Sequence, residues 1–445
     1  MSYFPVASLQ SSQNISHSVE PVSTNGLRIA LLGYRSHPHV GGQGIYLQYL
    51  SKALVELGHN VDVISGPPYP ELDARIKLIK LPSLDLYAHK NPHWVLRPKH
   101  FLSFADVYEW WSKLSGGFGE PYCFGRRLVS YFKKHKPQYD IIHDNQSLCY
   151  GLLQLQNSGE NIIATVHHPI TRDRELAVSA ATTKGQRWLI NRWYSFLGMQ
   201  QKVVQQLNHI ITVSQQSQKD IADAFACPTE KITVIANGID TDIFKPLPNI
   251  ARKPWRIITT ASSDQPLKGL SILLNAIAQL RSEFPSLQLL VIGKLKPDGV
   301  TEQELKSLAL NDCVEFKSGI STEQLVIEYA ESKIAVVPSL YEGFGLPAGE
   351  ALACGIPLIC SDGGALPEVV GDAAQMVKAG DVNELTQALR KLLSDDVLRE
   401  KLSAAGRAHS LQHLSWQVVG EQLSDYYQNL LNTLLTNAQI KRAHH

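Results

Sequence analysis

The chain alternates two patterns, and the whole alternation occurs twice. Short apolar runs rich in β-branched residues are separated by stretches with helical spacing. The first half holds "RIALLG" (28–33), "VDVIS" (61–65), "YDIIH" (139–143), "IIATVH" (162–167), "HIITV" (209–213) and "ITVI" (232–235). The second half holds "RIITTA" (256–261), "LQLLVIG" (287–293), "CVEFK" (313–317), "IAVVP" (334–338) and "IPLICS" (356–361). Most are continuously apolar, which is how parallel strands buried on both faces read. Between them, Ile45, Tyr49, Leu50, Ala53, Leu54 and Leu57 keep one helical stripe, stopped by Gly58. Leu270, Leu273, Leu274, Ile277 and Leu280 keep another. Repeated strand–helix–strand units predict an α/β fold with doubly wound sheets.

The series restarts after "NGIDTDIFKPLPNIARKPW", which carries Gly238, Pro246, Pro248 and Pro254. Such punctuation marks a domain boundary, and 445 residues exceed what one core ordinarily organises. The expected layout is a disordered lead-in (1–26), a first Rossmann-like domain (27–240), a linker (241–255) and a second Rossmann-like domain (256–414). The two domains would face each other across a cleft. A final helix (415–436) has no strand after it and is expected to return to the first domain.

Hydrophobic residues make up 44% and charged residues 19%, a globular profile. The net charge of +1 gives no general electrostatic reason to bind nucleic acid. Six cysteines without a C-x-x-C pair read as reduced thiols. The first residues lack the basic and apolar regions of a signal peptide, and no run of 18 apolar residues exists. A cytoplasmic setting is expected, extending to the inner face of a membrane.

The most informative stretch is "VPSLYEGFGLPAGEALACGIPLICSDGGALPEVV". Glu342 lies in a glycine-rich loop after an apolar strand. Pro347 suits the first turn of a helix and Gly355 its carboxyl-terminal cap. Glu350 is then expected in that first turn. Ligands of open α/β sheets bind beyond the carboxyl ends of strands, often at helix amino termini. Each glutamate alone is explained by a favourable helix dipole; the pair, spaced E-x(7)-E among glycines, is more specific.

These residues resemble the signature of the family 4 retaining glycosyltransferases, which have the GT-B fold of two Rossmann-like domains. The resemblance runs from about Leu27 to Gln428 and includes "GGQG", "TVSQQSQKDI", "VIANGID", "PLKGL" and "SDGGALPEVV". It implies a nucleotide diphosphate-sugar donor, used as substrate, with no metal and no cofactor. It implies that Glu342 contacts the donor sugar and supports charge at its anomeric carbon. Glu350 would accept ribose hydroxyls, and amides near Phe344 and Gly345 would face the diphosphate. Lys268 would be the phosphate lysine. The arginine usual five or six residues earlier is replaced by Ser262 and Ser263, leaving Arg35 or Lys294 as substitute cations. Gly42 and Gly44, at the start of the first helix, would reach across the cleft to the diphosphate.

In the first domain "TVHHPI" places His167 and His168 at a strand end. Adjacent side chains in extended chain point apart, and no further ligand set accompanies them, so metal is not expected. The resemblance assigns His167 to the donor sugar or acceptor, making His167 and Glu342 the catalytic candidates. His143, Asp144 and Asn145 end another strand and either orient the acceptor or cap a loop. The acceptor itself is open: a glycan, a lipid carrier or a small molecule.

Two stretches, "HWVLRPKHFLSFADVYEWWSKL" followed by "FGRRLVSYFKKHKP", and "KGQRWLINRWYSFL", mix aromatic and basic residues. On a helix Phe104, Val107, Tyr108, Trp111 and Leu114 share a face. That face either packs in the core or makes peripheral contact with an anionic membrane. Two other functions use the same scaffold: a nucleotide-sugar epimerase and a non-catalytic nucleotide-sugar-binding protein.

Overall fold

The computed structural model describes residues 26–38 and 42–443; residues 1–25 of the expected lead-in, and Gly41 of "GGQG", lie outside them. Two wholly parallel sheets form the frame. The first contains β1 (Arg28–Gly33), β2 (Asn60–Ser65), β3 (Lys77–Lys80), β4 (Ile141–Asn145), β5 (Ile162–Val166), β6 (His209–Thr212) and β7 (Ile232–Val234). Its order is β3-β2-β1-β4-β5-β6-β7. The second contains β8 (Arg256–Thr260), β9 (Gln288–Ile292), β10 (Val314–Lys317), β11 (Ile334–Val337), β12 (Leu358–Ser361) and β13 (Gln375–Val377), ordered β10-β9-β8-β11-β12-β13. Strand order reverses between β1 and β4 and between β8 and β11. Those reversals open the crevices where such sheets bind ligands.

The strands form where continuous apolar runs can be covered on both faces. β4 and β5 are buried along their whole length. The edge strands β3 and β13 carry no comparable run, being short and only partly buried, and the sequence reading passes over both. It also places the fourth strand two residues too early. Pairing begins at Ile29↔Ile141, while the Tyr139 hydroxyl donates to Asp62 at 2.7 Å. His143, Asp144 and Asn145 therefore belong to the strand and are buried.

The chain crosses from first to second domain at Ile239 and returns at Ser415. The crossings are joined: Ile239 N–H donates to the Leu414 carbonyl at 2.6 Å, and Ile239 and Ser415 form a parallel bridge. Beyond Ile239, the expected linker packs on the second domain. Arg407 donates to the carbonyls of Thr241, Phe244 and Ala353 at 3.2, 3.0 and 2.9 Å.

The helix Trp416–Ala443 packs along α1 (Gly42–Glu56). Val419, Leu423 and Tyr427 join Ile29, Leu31, Leu47 and Leu50 in one buried cluster. Each such side chain contributes about 2 kcal/mol. Trp416 stacks on Tyr49 with ring centroids 5.8 Å apart.

The aromatic face of α2 (Phe104–Leu114) is not a core face. Ala105, Glu109 and Ser112 are its buried residues. Asp106 and Glu109 accept from Arg127 of α3 (Glu120–His135) at 2.6 and 2.5 Å. That polar network turns the aromatic stripe outward, leaving Phe104 57% and Trp111 52% exposed. Trp188 and Leu189, on the neighbouring helix Lys184–Trp193, are 61% and 51% exposed. Arg192 links the two helices, lying 5.0 Å from the Trp111 ring centroid and donating to Ser115. Among the described residues no helix is long and apolar enough to cross a membrane.

Candidate active site between the domains

Glu342 is placed by local chain chemistry. The apolar strand β11 ends at Val337, and Pro338 and Ser339 lead into the loop. Gly269, at φ +66°, lies so close that a β-carbon there would be 1.9 Å from the Pro338 carbonyl oxygen. Leu340 N–H donates to the Leu267 carbonyl at 2.8 Å. The turn Pro266–Lys268 is thereby pressed against the end of β11. Lys268 Nζ consequently reaches Glu342 Oε1 at 2.8 Å, and the Ser339 hydroxyl donates to the same oxygen at 2.8 Å. An ammonium and a hydroxyl thus hold one carboxylate oxygen at the sheet's switch point. Ser339 is the group that motif reading overlooks, although it stands three residues before Glu342.

Gly345 caps the helix Leu346–Ala353 at φ +102°, a conformation that disfavours any side chain. Its neighbour Phe344 is buried. Glu350 is the fifth residue of this helix rather than part of its first turn. It is partly buried, and desolvation pushes its carboxyl up from 4.5 to about 7. Its charge and that of Asp240 act on Tyr49 of α1, across the cleft.

In the first domain His167 follows β5. Asn145 Nδ2 donates to the Gln43 carbonyl at 2.9 Å, so its Oδ1 faces His167 Nε2 at 2.8 Å. His167 must then carry its proton on Nε2, leaving Nδ1 as acceptor. Burial lowers its pKa from 6.5 to about 3, so the ring is neutral. Tyr46 packs edge-on against it, centroids 4.7 Å apart. Asn145 joins the start of α1 to His167, and so acts on a neighbouring side chain.

His143 and Asp144 do not fit the expected acceptor contact. His143 spends both ring nitrogens inside the core, Nδ1 with the Tyr427 hydroxyl and Nε2 with Thr165 at 2.6 Å. Asp144 accepts from the Ser147 hydroxyl at 2.5 Å and Leu148 N–H at 3.0 Å. It caps the loop after β4. Both carry structure, not substrate contact.

The glycines of "GGQG" divide. At Gly44 a β-carbon would meet the His37 carbonyl oxygen at 2.1 Å, so chain packing requires glycine. At Gly42 a β-carbon would meet nothing within 4 Å. Gly42 is exposed and opens α1. The substitute cations also divide. Arg35 is held by Glu120 at 3.1 and 3.2 Å and lies 5.1 Å from the Tyr87 ring centroid. Lys294 is exposed, and its carbonyl accepts from the Ser263 hydroxyl at 2.9 Å, beside the serine pair.

The domains meet at the loop itself. A β-carbon on Gly343 would lie 3.7 Å from His168 Cβ and 3.9 Å from the His167 carbonyl oxygen. Residues that follow β5 thus face the loop that follows β11.

Comparisons with known proteins agree with this architecture. The family model described as "Glycosyltransferase Family 4" matches residues 40–243, and "Glycosyl transferases group 1" matches 245–409. The "MMP alpha-(1->4)-mannosyltransferase" of Mycolicibacterium hassiacum is 44% identical over 413 residues, covering 91% of this chain and 98% of that protein. A D-inositol 3-phosphate glycosyltransferase of Corynebacterium jeikeium is 32% identical over 433 residues, covering 91% and 97%. Among solved structures, sucrose-phosphate synthase from Thermosynechococcus elongatus superposes with TM-score 0.64 at 24% identity, covering 92% of this chain and all of that one. Anabaena HepE in complex with UDP superposes with TM-score 0.63 at 17% identity, covering 91% and 100%. The chain therefore belongs to the family 4, group 1 glycosyltransferases, and is a glycosyltransferase of the GT-B fold.

Proposed function

We propose that the enzyme is a retaining mannosyltransferase that moves mannose from a nucleoside diphosphate donor to a mannosyl acceptor through an α-(1→4) linkage. The observation that carries the transfer chemistry is the convergence of Lys268, Ser339 and Glu342 beside the helix start at Gly345. The sugar and linkage rest on the 44% identity to the M. hassiacum enzyme.

Lys268 and the amides of Phe344 and Gly345 hold the diphosphate, with the Gly42 amide facing it from the first domain. Lys294 supplies the second positive charge beside Ser262 and Ser263. Glu350 accepts the ribose hydroxyls. The anomeric carbon–phosphate oxygen bond breaks, and the acceptor oxygen bonds to the same face of that carbon. The acceptor proton passes to the departing phosphate oxygen. Glu342 stabilises positive charge at the anomeric carbon, and neutral His167 offers Nδ1 as an acceptor to a sugar hydroxyl. The protein thus contributes positioning and electrostatics.

The test offers GDP-, UDP- and ADP-mannose with and without α-(1→4)-linked mannose oligosaccharides. Acceptor-dependent release of nucleoside diphosphate and an α-configured product are expected, and Glu342→Ala should abolish both. Sugar interconversion without acceptor would instead mark an epimerase. Binding without turnover would mark a non-catalytic protein. A β-configured product would end the retaining reading.

The partner surface is the outward aromatic face of α2 and of the helix Lys184–Trp193. Exposed Arg97, Lys99, Lys184 and Arg187 accompany it, which suits peripheral contact with an anionic membrane. Co-sedimentation with phosphatidylglycerol vesicles but not phosphatidylcholine vesicles, lost in Trp111→Ala/Trp188→Ala, is expected. Equal recovery with both lipids, or with neither, would overturn it.

A further inference from the structure

The loop carrying Glu342 is held by one helix of the opposite domain. Before Glu342, the Tyr341 hydroxyl donates to the Asp220 carboxylate. The Arg172 guanidinium lies 4.7 Å from the Tyr341 ring centroid. After Glu342, the Gly343 carbonyl accepts from the hydroxyls of Ser214 and Ser217 at 2.8 and 2.9 Å. Behind Glu342, its own carbonyl accepts from Ala365 N–H at 2.9 Å. A β-carbon on Gly364 would sit 2.3 Å from that carbonyl oxygen. Just beyond, Glu368 crosses between the domains, its carboxylate accepting the backbone N–H groups of Gln215 and Gln216 at 2.6 and 3.0 Å.

Every first-domain group in this set except Arg172 belongs to the first two turns of the helix Gln215–Phe225, whose amino-terminal cap is Ser214. Ser214 is used twice: its hydroxyl donates to Gly343 and its oxygen accepts Ser217 N–H at 2.9 Å. The remaining amides of the turn meet the Glu368 carboxylate, a charge-assisted contact that the helix dipole strengthens. The peptide of Glu342 is therefore gripped on both neighbouring residues by one domain and backed by the other.

We propose that the first two turns of the Gln215–Phe225 helix form a clasp for the Glu342 loop, and that Asp220 and Glu368 are positioning residues for transfer. The catalytic part of this inference rests on the function proposed above. All the clasp bonds span the two domains, so they form only when the domains close. Closure thereby sets the loop against His167 and fixes the Glu342 carboxylate at the donor sugar. Small displacements of such a group cost rate steeply.

The clasp is tested in the full-length enzyme with Asp220→Asn, Glu368→Gln, Tyr341→Phe and the Asp220→Asn/Tyr341→Phe pair. Three readouts are compared: kcat and donor KM with the mannose donors above, hydrogen exchange of the peptide 341–346, and the thermal midpoint. A fall in kcat of about tenfold or more is expected, with donor KM within about threefold. Exchange in 341–346 should accelerate while the midpoint barely moves, because partly exposed polar contacts add little to stability. The double variant should lose no more than the worse single one, and Glu368→Asp should recover part of the rate. Unchanged kcat with unchanged exchange would overturn the clasp. So would a rate loss matched by a general loss of stability without a local change at 341–346. If the unaltered enzyme transfers no sugar while the variants still free the loop, the clasp stands and the transfer reading fails.

Discussion

Lys268 and Glu342 form an ion pair of 2.8 Å across two strand ends. Under the proposed function, the pair would combine the phosphate-holding cation with the carboxylate facing the anomeric carbon. Lys268→Met should lower kcat/KM for the donor by roughly a hundredfold or more, an effect of the size seen when charge-stabilising donors are removed. Lys268→Arg should recover little, because a guanidinium cannot replace the ammonium's single point contact. Steady-state kinetics of nucleoside diphosphate release decide this, and a loss below tenfold would contradict it.

Ser262 and Ser263 should respond oppositely to restoring the missing arginine. Ser263 donates to the Lys294 carbonyl and accepts Lys296 N–H, both at 2.9 Å, so Ser263→Arg breaks two bonds and should destabilise the domain by about 1–2 kcal/mol. Ser262 is exposed, and Ser262→Arg should tighten donor binding several-fold at low salt. Calorimetry with nucleoside diphosphate at two salt concentrations measures the gain; no gain at either would refute it.

Gly42 and Gly44 should separate function from folding. Gly44→Ala places a β-carbon against the His37 carbonyl oxygen and should lower the melting temperature. Gly42→Val has space, should fold normally and should impair donor turnover. Normal turnover in Gly42→Val would remove the first domain's amide from the site.

Glu350 on one side and His143 and His167 on the other oppose each other in pH dependence. The Glu350 carboxyl rises from 4.5 to about 7 on folding. Below about pH 4.5 it is neutral in both states and costs nothing; its penalty grows to about pH 7 and is then complete. Glu350→Gln should therefore raise the melting temperature at pH 8, leave it unchanged at pH 4, and weaken donor binding. His143 and His167 fall from 6.5 to about 3. The unfolded chain binds protons there first, so stability present above pH 6.5 drains away as pH falls towards 3. Melting curves across pH 4–8 check both signs.

Tyr427 should matter to stability alone. Tyr427→Phe leaves His143 Nδ1 without its partner and should cost about 1–3 kcal/mol, with kcat unchanged. A change in kcat at unchanged stability would return His143 to the acceptor site.

The frame and much of the site were legible because they follow from local chemistry. Continuous apolar runs such as Ile162–Val166 can only be buried on both faces. Gly345 before Pro347, and Gly269 after Lys268, mark turns that deliver side chains to strand ends. The weak strands β3 and β13 escaped notice because their pairing is supplied by a neighbour, not by their own pattern.

Faces and partners were decided elsewhere. The sequence cannot show that Arg127 draws the acidic face of α2 inward and turns Phe104 and Trp111 out. Nor can it show that His143 is spent on a tyrosine 284 residues away, or that Ser214 meets Gly343 across 129 residues. Chain order determines periodicity, turns and the strand-end position of Glu342 and His167. Which of the polar groups stay free for chemistry depends on what the domains bring against them, because a buried polar group must find a partner and takes the one that packing supplies.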